Sequence, residues 1–157
     1  MANLAINYRQ RSRDYYRAQG YTNDYEWAHF ENAPFTRPTK PLGESRLAII
    51  TTAMPDDSAP RKSRQVIATP VERLPSSMHT ADLSWDKINT HTRDVASFLP
   101  IQQIRHLIAE GVVGELAPAF YSVPTEYSQR NTQETDAPEI LALCQRDKVD
   151  LALLVPL

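Results

Sequence analysis

His91 and Asp94 stand three residues apart. A histidine titrates near neutrality, and a carboxylate close by can orient its ring, the pairing that proton transfer to or from a reacting group needs. The same His-x-x-Asp spacing recurs at His79 and Asp82. Two histidines and two aspartates can ligate a metal, but without a helix to set their faces the pattern is weak, and no metal site is assigned. The plain alternative for His91 is a surface or capping histidine before a helix. Thr51 and Thr52 close an apolar run and can offer hydroxyls and backbone N–H groups, although β-branched residues in a strand are ordinarily core. Tyr121, Ser122 and Tyr127 read as loop residues that can line a pocket and hydrogen-bond a ligand. Cys144 falls beside Leu141 and Leu143, where a small buried thiol is the ordinary explanation and a nucleophile is not. No Gly-x-Ser-x-Gly, phosphate loop or dinucleotide fingerprint occurs, and no cofactor is evident.

These residues need elements to hold them. Arg46 to Ala53 reads RLAIITTA between Gly43 and Pro55, a short β-branched run that predicts a buried strand. Gln65 to Val71 predicts a second, marginal strand. Pro100 to Gly111 has helical grammar, with Pro at the start, Ile101, Ile104, Leu107 and Ile108 along one face, and Gly at the stop. A further helix is expected from Asp136, whose carboxylate can cap Glu139, to about Lys148. Val149 to Leu157 predicts a buried strand. Strand, crossover helix and apolar strand together predict an α/β fold: three layers with a mostly parallel sheet and Rossmann-like crossovers. In such sheets ligand-binding residues gather beyond the carboxyl ends of the strands, so the last strand is expected to lead straight into a site.

Eight of the thirteen aromatic residues precede position 36. Arg9–Gln19 and Asn23–Phe30 have helical composition, with Gly20 between them as a cap, so residues 1–43 are expected to form a helical aromatic arm and 44–157 the α/β domain. Interleaved Arg and Tyr can bind single-stranded nucleic acid, but Asp14, Asp24, Glu26 and Glu31 dilute the charge, and packing of the arm on the domain or a second subunit is preferred.

The chain has 157 residues, 41% of them hydrophobic, enough for one domain with a real core. A net charge of -2 provides no global attraction for nucleic acid or acidic lipid, and neither is expected as a partner. The longest apolar run, Leu151 to Val155, is far short of the roughly 20 residues a membrane span needs. One cysteine excludes an internal disulfide, and Arg9, Arg11 and Arg13 fall where an export signal would be apolar, so the expected location is the cytoplasm.

Three segments in order, RLAIITTA, HTRDVASFLPIQQIRHLIAEGVVGELAPAFYS and DAPEILALCQRDKVDLALLVPL, resemble the selenoprotein B family of glycine, sarcosine, betaine and D-proline reductases. The matching positions are Thr51 and Thr52 at a strand end, then His91, Asp94 and Pro100. Glu110, Gly111, Gly114, Leu116, Ala117 and Pro118 follow at the helix end, and Val149, Asp150, Leu153, Leu154 and Pro156 in the last strand. The resemblance covers Glu44 to Leu157. Ala96 and Phe120 depart from residues common in the family, Asn and His, which points to a divergent branch.

The resemblance implies an oxidoreductase that cleaves a C–N bond of an amino acid or related amine, with a dithiol as final electron donor. His91 would deliver a proton to the leaving amine, oriented by Asp94, and Thr51, Thr52, Tyr121 and Ser122 would bind substrate. The family's nucleophile, a selenocysteine or cysteine, lies directly after the final strand, so this chain is expected to be truncated just before it and inactive as it stands. A homo- or hetero-oligomer is expected. The alternative is a non-catalytic homologue acting as an oligomeric subunit or binding module.

Overall fold

The computed structural model describes residues 7–24, 28–32, 36–55, 65–79 and 94–156. The chain divides into two compact units, Met1–Phe35 and Thr36–Leu157.

In the first unit α1 spans Tyr8–Ala18. Asn7 caps it, its side-chain oxygen accepting from the Gln10 N–H at 3.2 Å. At the other end the Gly20 N–H donates to the Arg17 carbonyl and the Tyr21 N–H to the Tyr16 carbonyl, the crossed pair of a Schellman cap. Tyr21 packs edge-on against Tyr16, as Tyr16 does against Tyr15, each with ring centroids 5.7 Å apart. Asp24 receives Arg17 at 2.6 Å. The helix expected over Asn23–Phe30 is absent from the described part of that stretch, where residues 23–24 and 28–30 are irregular.

The second unit is a mixed α/β structure with a mostly parallel sheet. Its strands are β1 (Arg46–Thr51), β2 (Met54–Pro55), β3 (Ile67–Pro70), β4 (Met78–His79), β5 (Glu115–Leu116), β6 (Ala119–Ser122) and β7 (Leu151–Val155). β1 is central. It pairs in parallel with β5 and then β6 along one edge, and with β7 along the other. β3 adds antiparallel to the outer edge of β6, while β2 and β4 form a separate antiparallel pair. Between β1 and β5 the chain passes through α2 (Ile101–Ala109). Between β6 and β7 it passes through α3 (Gln129–Asn131), a π-helical turn (Thr132–Asp136) and α4 (Ala137–Arg146).

Alternation along β1 sends its side chains to two cores. Ile49 joins Phe120, Ile101 and Ile104 under α2, whereas Ala48 and Ile50 join Tyr121 with Ile140, Leu143 and Cys144 of α4. Among the described residues no helix is long and apolar enough to cross a membrane.

Three expectations are corrected. Tyr121 and Ser122 are not in a loop; they belong to β6 and are fully buried. The last helix starts where expected, with Asp136 at the N-cap position of α4, but the Asp136 side chain makes no capping hydrogen bond. Ser128 caps α3, its hydroxyl accepting from the Asn131 N–H at 3.2 Å, and Asp136 lies inside continuous helical backbone as a buried residue. The reason lies in Pro138, which has no N–H to give the preceding turn; the chain widens to a π turn just upstream. Finally, β7 is a strand but not a buried one. Leu153 is 39% and Leu154 67% exposed, because among the described residues β7 pairs only with β1 and stands at the margin of the sheet.

Candidate functional site

The parallel register sets Thr51, Ser122 and Val155 in one row at the carboxyl ends of β1, β6 and β7. Residues in register on parallel strands point to the same face, so the Thr51 and Ser122 side chains are neighbours on the face that α2 covers. Thr51 is 1% and Ser122 0% exposed. The Thr51 hydroxyl oxygen accepts from the Ala53 N–H at 3.1 Å, and the Val123 N–H donates to the Thr51 carbonyl at 2.9 Å, which ties the chain leaving β6 to the end of β1. Thr52 is half-buried just beyond.

Ser122 Oγ is buried and has no hydrogen-bond partner among the described residues; the same holds for Thr125 Oγ1, three residues on. A buried hydroxyl left unpaired costs about 1–3 kcal/mol. Such groups are uncommon in native proteins and mark strain, a missing partner or a working site.

α2 packs on the face of the sheet that carries Ile49 and Phe120. Its last turn closes on Gly111, at φ +73°, whose carbonyl oxygen lies 2.9 Å from where a Cβ on Gly43 would sit, ahead of β1. The helix therefore ends at the amino side of β1. No side chain caps its first turn and no acidic residue occupies it.

Tyr121 is turned away from this row. On the α4 side its hydroxyl donates to Asp147 Oδ2 at 2.7 Å. Burial first, and then that bond to a carboxylate, push its pKa well above the ordinary tyrosine range. Asp147 also receives Arg146 at 2.7 and 2.9 Å, and that guanidinium leads in holding the carboxyl below its ordinary value. Cys144, half-buried in the same core, has its thiol pushed up by burial and then by Asp147, which is a setting for an inert thiol.

Asp94 is exposed, opens the short turn Val95–Ser97 and accepts from the Ser97 hydroxyl at 2.8 Å. His91 and Asp82 lie outside the described residues, and His79 is exposed on β4. Among the described residues no three histidine, cysteine, aspartate or glutamate side chains group to hold a metal.

Much of the motif at the end of α2 does backbone work. The Gly111 N–H donates to the Ile108 carbonyl and the Val112 N–H to the Leu107 carbonyl, again a Schellman cap. A Cβ on Gly114 would lie 2.8 Å from both the Ser45 N and O, so a side chain there is barred by the backbone entering β1. Pro118 parts β5 from β6, and its carbonyl accepts from the Val71 N–H at 3.0 Å. In the last segment Asp150 accepts from the Arg46 N–H at 2.9 Å and from Lys40 at 3.0 Å. The backbone bond leads in lowering its pKa, followed by Lys40.

Chemically the row is a cluster of neutral hydroxyl donors at a sheet terminus. Tyr121 and Asp147 form a polar pair that sequence reading missed; residues 26 positions apart carry no spacing signal for it. Comparisons with protein families, with curated proteins and with solved structures find no match to this chain.

Proposed function

We propose that the chain is the substrate-binding part of a selenoprotein B-type reductase, an oxidoreductase that breaks a C–N bond of a small amine or amino acid. The observation that carries the reading is the register row: Thr51, Ser122 and Val155 align, so the chain leaves β7 from beside the end of β1. In the resembling family the residue directly after the final strand is a selenocysteine or cysteine. A thiolate or selenolate there would attack the carbon bearing the nitrogen. The C–N electron pair leaves with the amine, which takes a proton from His91, and Asp94 orients that histidine. A dithiol then releases the carbon as C–H and becomes a disulfide. In sum, one alkylammonium and one dithiol give one C–H product, one ammonium and one disulfide. Thr51, Thr52 and Ser122 hold the substrate, and Tyr121 contributes by fixing β6 from the opposite face. The chain works in the cytoplasm, in an oligomer and with a thiol electron donor.

The test is chemical. With one cysteine appended after Leu157, the new thiol is expected to react with iodoacetamide at near-neutral pH much faster than Cys144; equal, slow reaction of both removes the basis for a nucleophile there. The codon after Leu157 is an independent check: UGA within an open frame supports the reading, and UAA or UAG followed by unrelated sequence overturns it.

One observation favours a second reading, a non-catalytic homologue acting as an oligomeric subunit. Leu153 and Leu154 on β7, with Leu141 at 57% exposure on α4, leave apolar surface uncovered. A 157-residue chain that sediments as a monomer at micromolar concentration counts against it.

A further inference from the structure

We infer that the outer edge of β7 is the interface of a homodimer. A second copy of this chain adds its own β7 antiparallel, across a two-fold axis at Leu153, and lays the Leu141 flank of its α4 beside that of the first. The inference rests on the oligomeric reading above, for which it names the surface and the partner, and it is independent of the reductase chemistry.

The edge is built without protection. β7 reads LALLV, apolar throughout with neither charge nor proline, and among the described residues it pairs only with β1. A strand edge of that kind templates a further strand unless charge, proline or a bulge blunts it. The opposite margin of the sheet, β3, closes on Pro70. Alternation along β7 leaves apolar surface on both faces: Leu153 shares the α2 side with Ile49, and Ala152 and Leu154 share the α4 side with Ala48 and Ile50. Ala152, Leu153 and Leu154 are all exposed.

Shape and charge both select a second copy as the occupant. Closed two-fold symmetry brings identical edges together antiparallel. Centred on Leu153, it sets Leu154 of each copy opposite Ala152 of the other, large against small. α4 carries a matching midpoint. It crosses from β6 to β7 over β1 with Ile140, Leu143 and Cys144 inward. Arg146, on one flank, holds the Asp147 carboxylate that receives Tyr121 of β6, so in a right-handed crossover the other flank, with Leu141, faces β7. Leu141 stands six residues before Asp147, whose carbonyl is tied to Arg46, or about 9 Å at the helical rise. Leu153 pairs with Ile49, three residues beyond Arg46, or about 10 Å at the strand rise. One axis therefore passes both midpoints. About that axis Glu134 and Lys148, seven residues to either side of Leu141 and both exposed, meet their opposites on the other copy. The bond Glu134 makes to Arg130 within its own chain is an exposed one and leaves the carboxylate within reach.

The experiment is sedimentation velocity of the 157-residue chain from submicromolar to tens of micromolar. A monomer–dimer equilibrium is expected; a chain that stays monomeric throughout leaves the edge to a different protein and overturns the inference together with the oligomeric reading. Leu154→Lys should weaken the dimer about tenfold or more while the monomer keeps its circular dichroism, because the side chain is exposed. A dimer unaltered by Leu154→Lys keeps the oligomeric reading and removes this interface. If Leu154→Lys does not fold, charge exchange on α4 decides. Glu134→Lys and Lys148→Glu should each weaken the dimer several-fold and the double exchange should restore it; no recovery overturns the shared axis. The register is read in a Cys144→Ser background. Leu153→Cys should cross-link to its own copy on mild oxidation, and Leu151→Cys should not, since Leu151 would face Val155. Equal cross-linking of the two overturns the pairing centred on Leu153. The reactivity of an appended cysteine bears on the reductase alone.

Discussion

The two ends of the parallel strands are built from opposite materials. At the amino ends a set of charges is matched: Arg46 holds Glu115 and the Asp147 carbonyl, its N–H meets Asp150, Lys40 joins Asp150, and Arg146 meets Asp147. At the carboxyl ends the polar groups are hydroxyls, and Ser122 Oγ and Thr125 Oγ1 lack partners among the described residues. The first end satisfies its groups internally; the second carries an energetic debt inside the fold. In open α/β sheets that asymmetry separates stability from ligand chemistry, and the carboxyl side is where ligands gather.

The strongest way to break the comparison is Gly114→Ala. Its Cβ would meet the Ser45 backbone at 2.8 Å, so a loss of about 3 kcal/mol is expected in urea unfolding. Asp147→Ala follows at about 2 kcal/mol, since it strands the buried Tyr121 hydroxyl. A smaller, pH-dependent effect tests the same end. Asp147 and Asp150 are held below their ordinary values, so the stability they contribute is present above roughly pH 4 and is lost as pH falls through their folded-state values. Tyr121 is raised, so its contribution is present below about pH 10 and is lost on further alkalisation. Urea midpoints should thus fall at both extremes, and Tyr121→Phe should lessen the alkaline decline, which the raised Cys144 thiol shares, and part of the acid decline, because the Tyr121 hydroxyl is among the groups that lower Asp147. Lys148 occupies at φ +55° the cap position that Gly111 fills for α2, and Lys148→Gly is expected to gain up to about 1 kcal/mol. Smallest is Ser122→Ala at the opposite end, neutral or stabilising by about 0.5 kcal/mol, because it removes an unpaired hydroxyl.

Legibility followed the range of the forces involved. The strand at Arg46–Thr51 and the helix at Ile101–Ala109 were readable because a β-branched run and an apolar helical stripe are local patterns. Ala119–Ser122 was not: four residues after Pro118 offer no period, and their strand character comes from β1 and β3 on either side. Gln129–Asp136 is polar throughout, with no apolar face to announce a helix, so the helical backbone upstream of Asp136 was not legible. The strand at the end was legible in type, but its exposure depends on what lies beside it, which composition does not report. Of the site, Thr51 and Ser122 were named from sequence and meet in one row. Tyr121 was named with them, yet alternation along β6 sends it to the other face.

The placement of β1 at the centre also has a consequence in time. The strands on both of its edges, β5, β6 and β7, come from late in the chain, and the bond from Arg46 to Asp150 links residues 104 apart. During synthesis β1 waits with both edges unsatisfied while most of the unit is made, and closing so long a loop carries its entropy cost before any ladder bond repays it. The apolar RLAII segment is therefore exposed longest in the nascent chain, and crowding or heat during folding should act first on that strand, before any effect on the finished sheet.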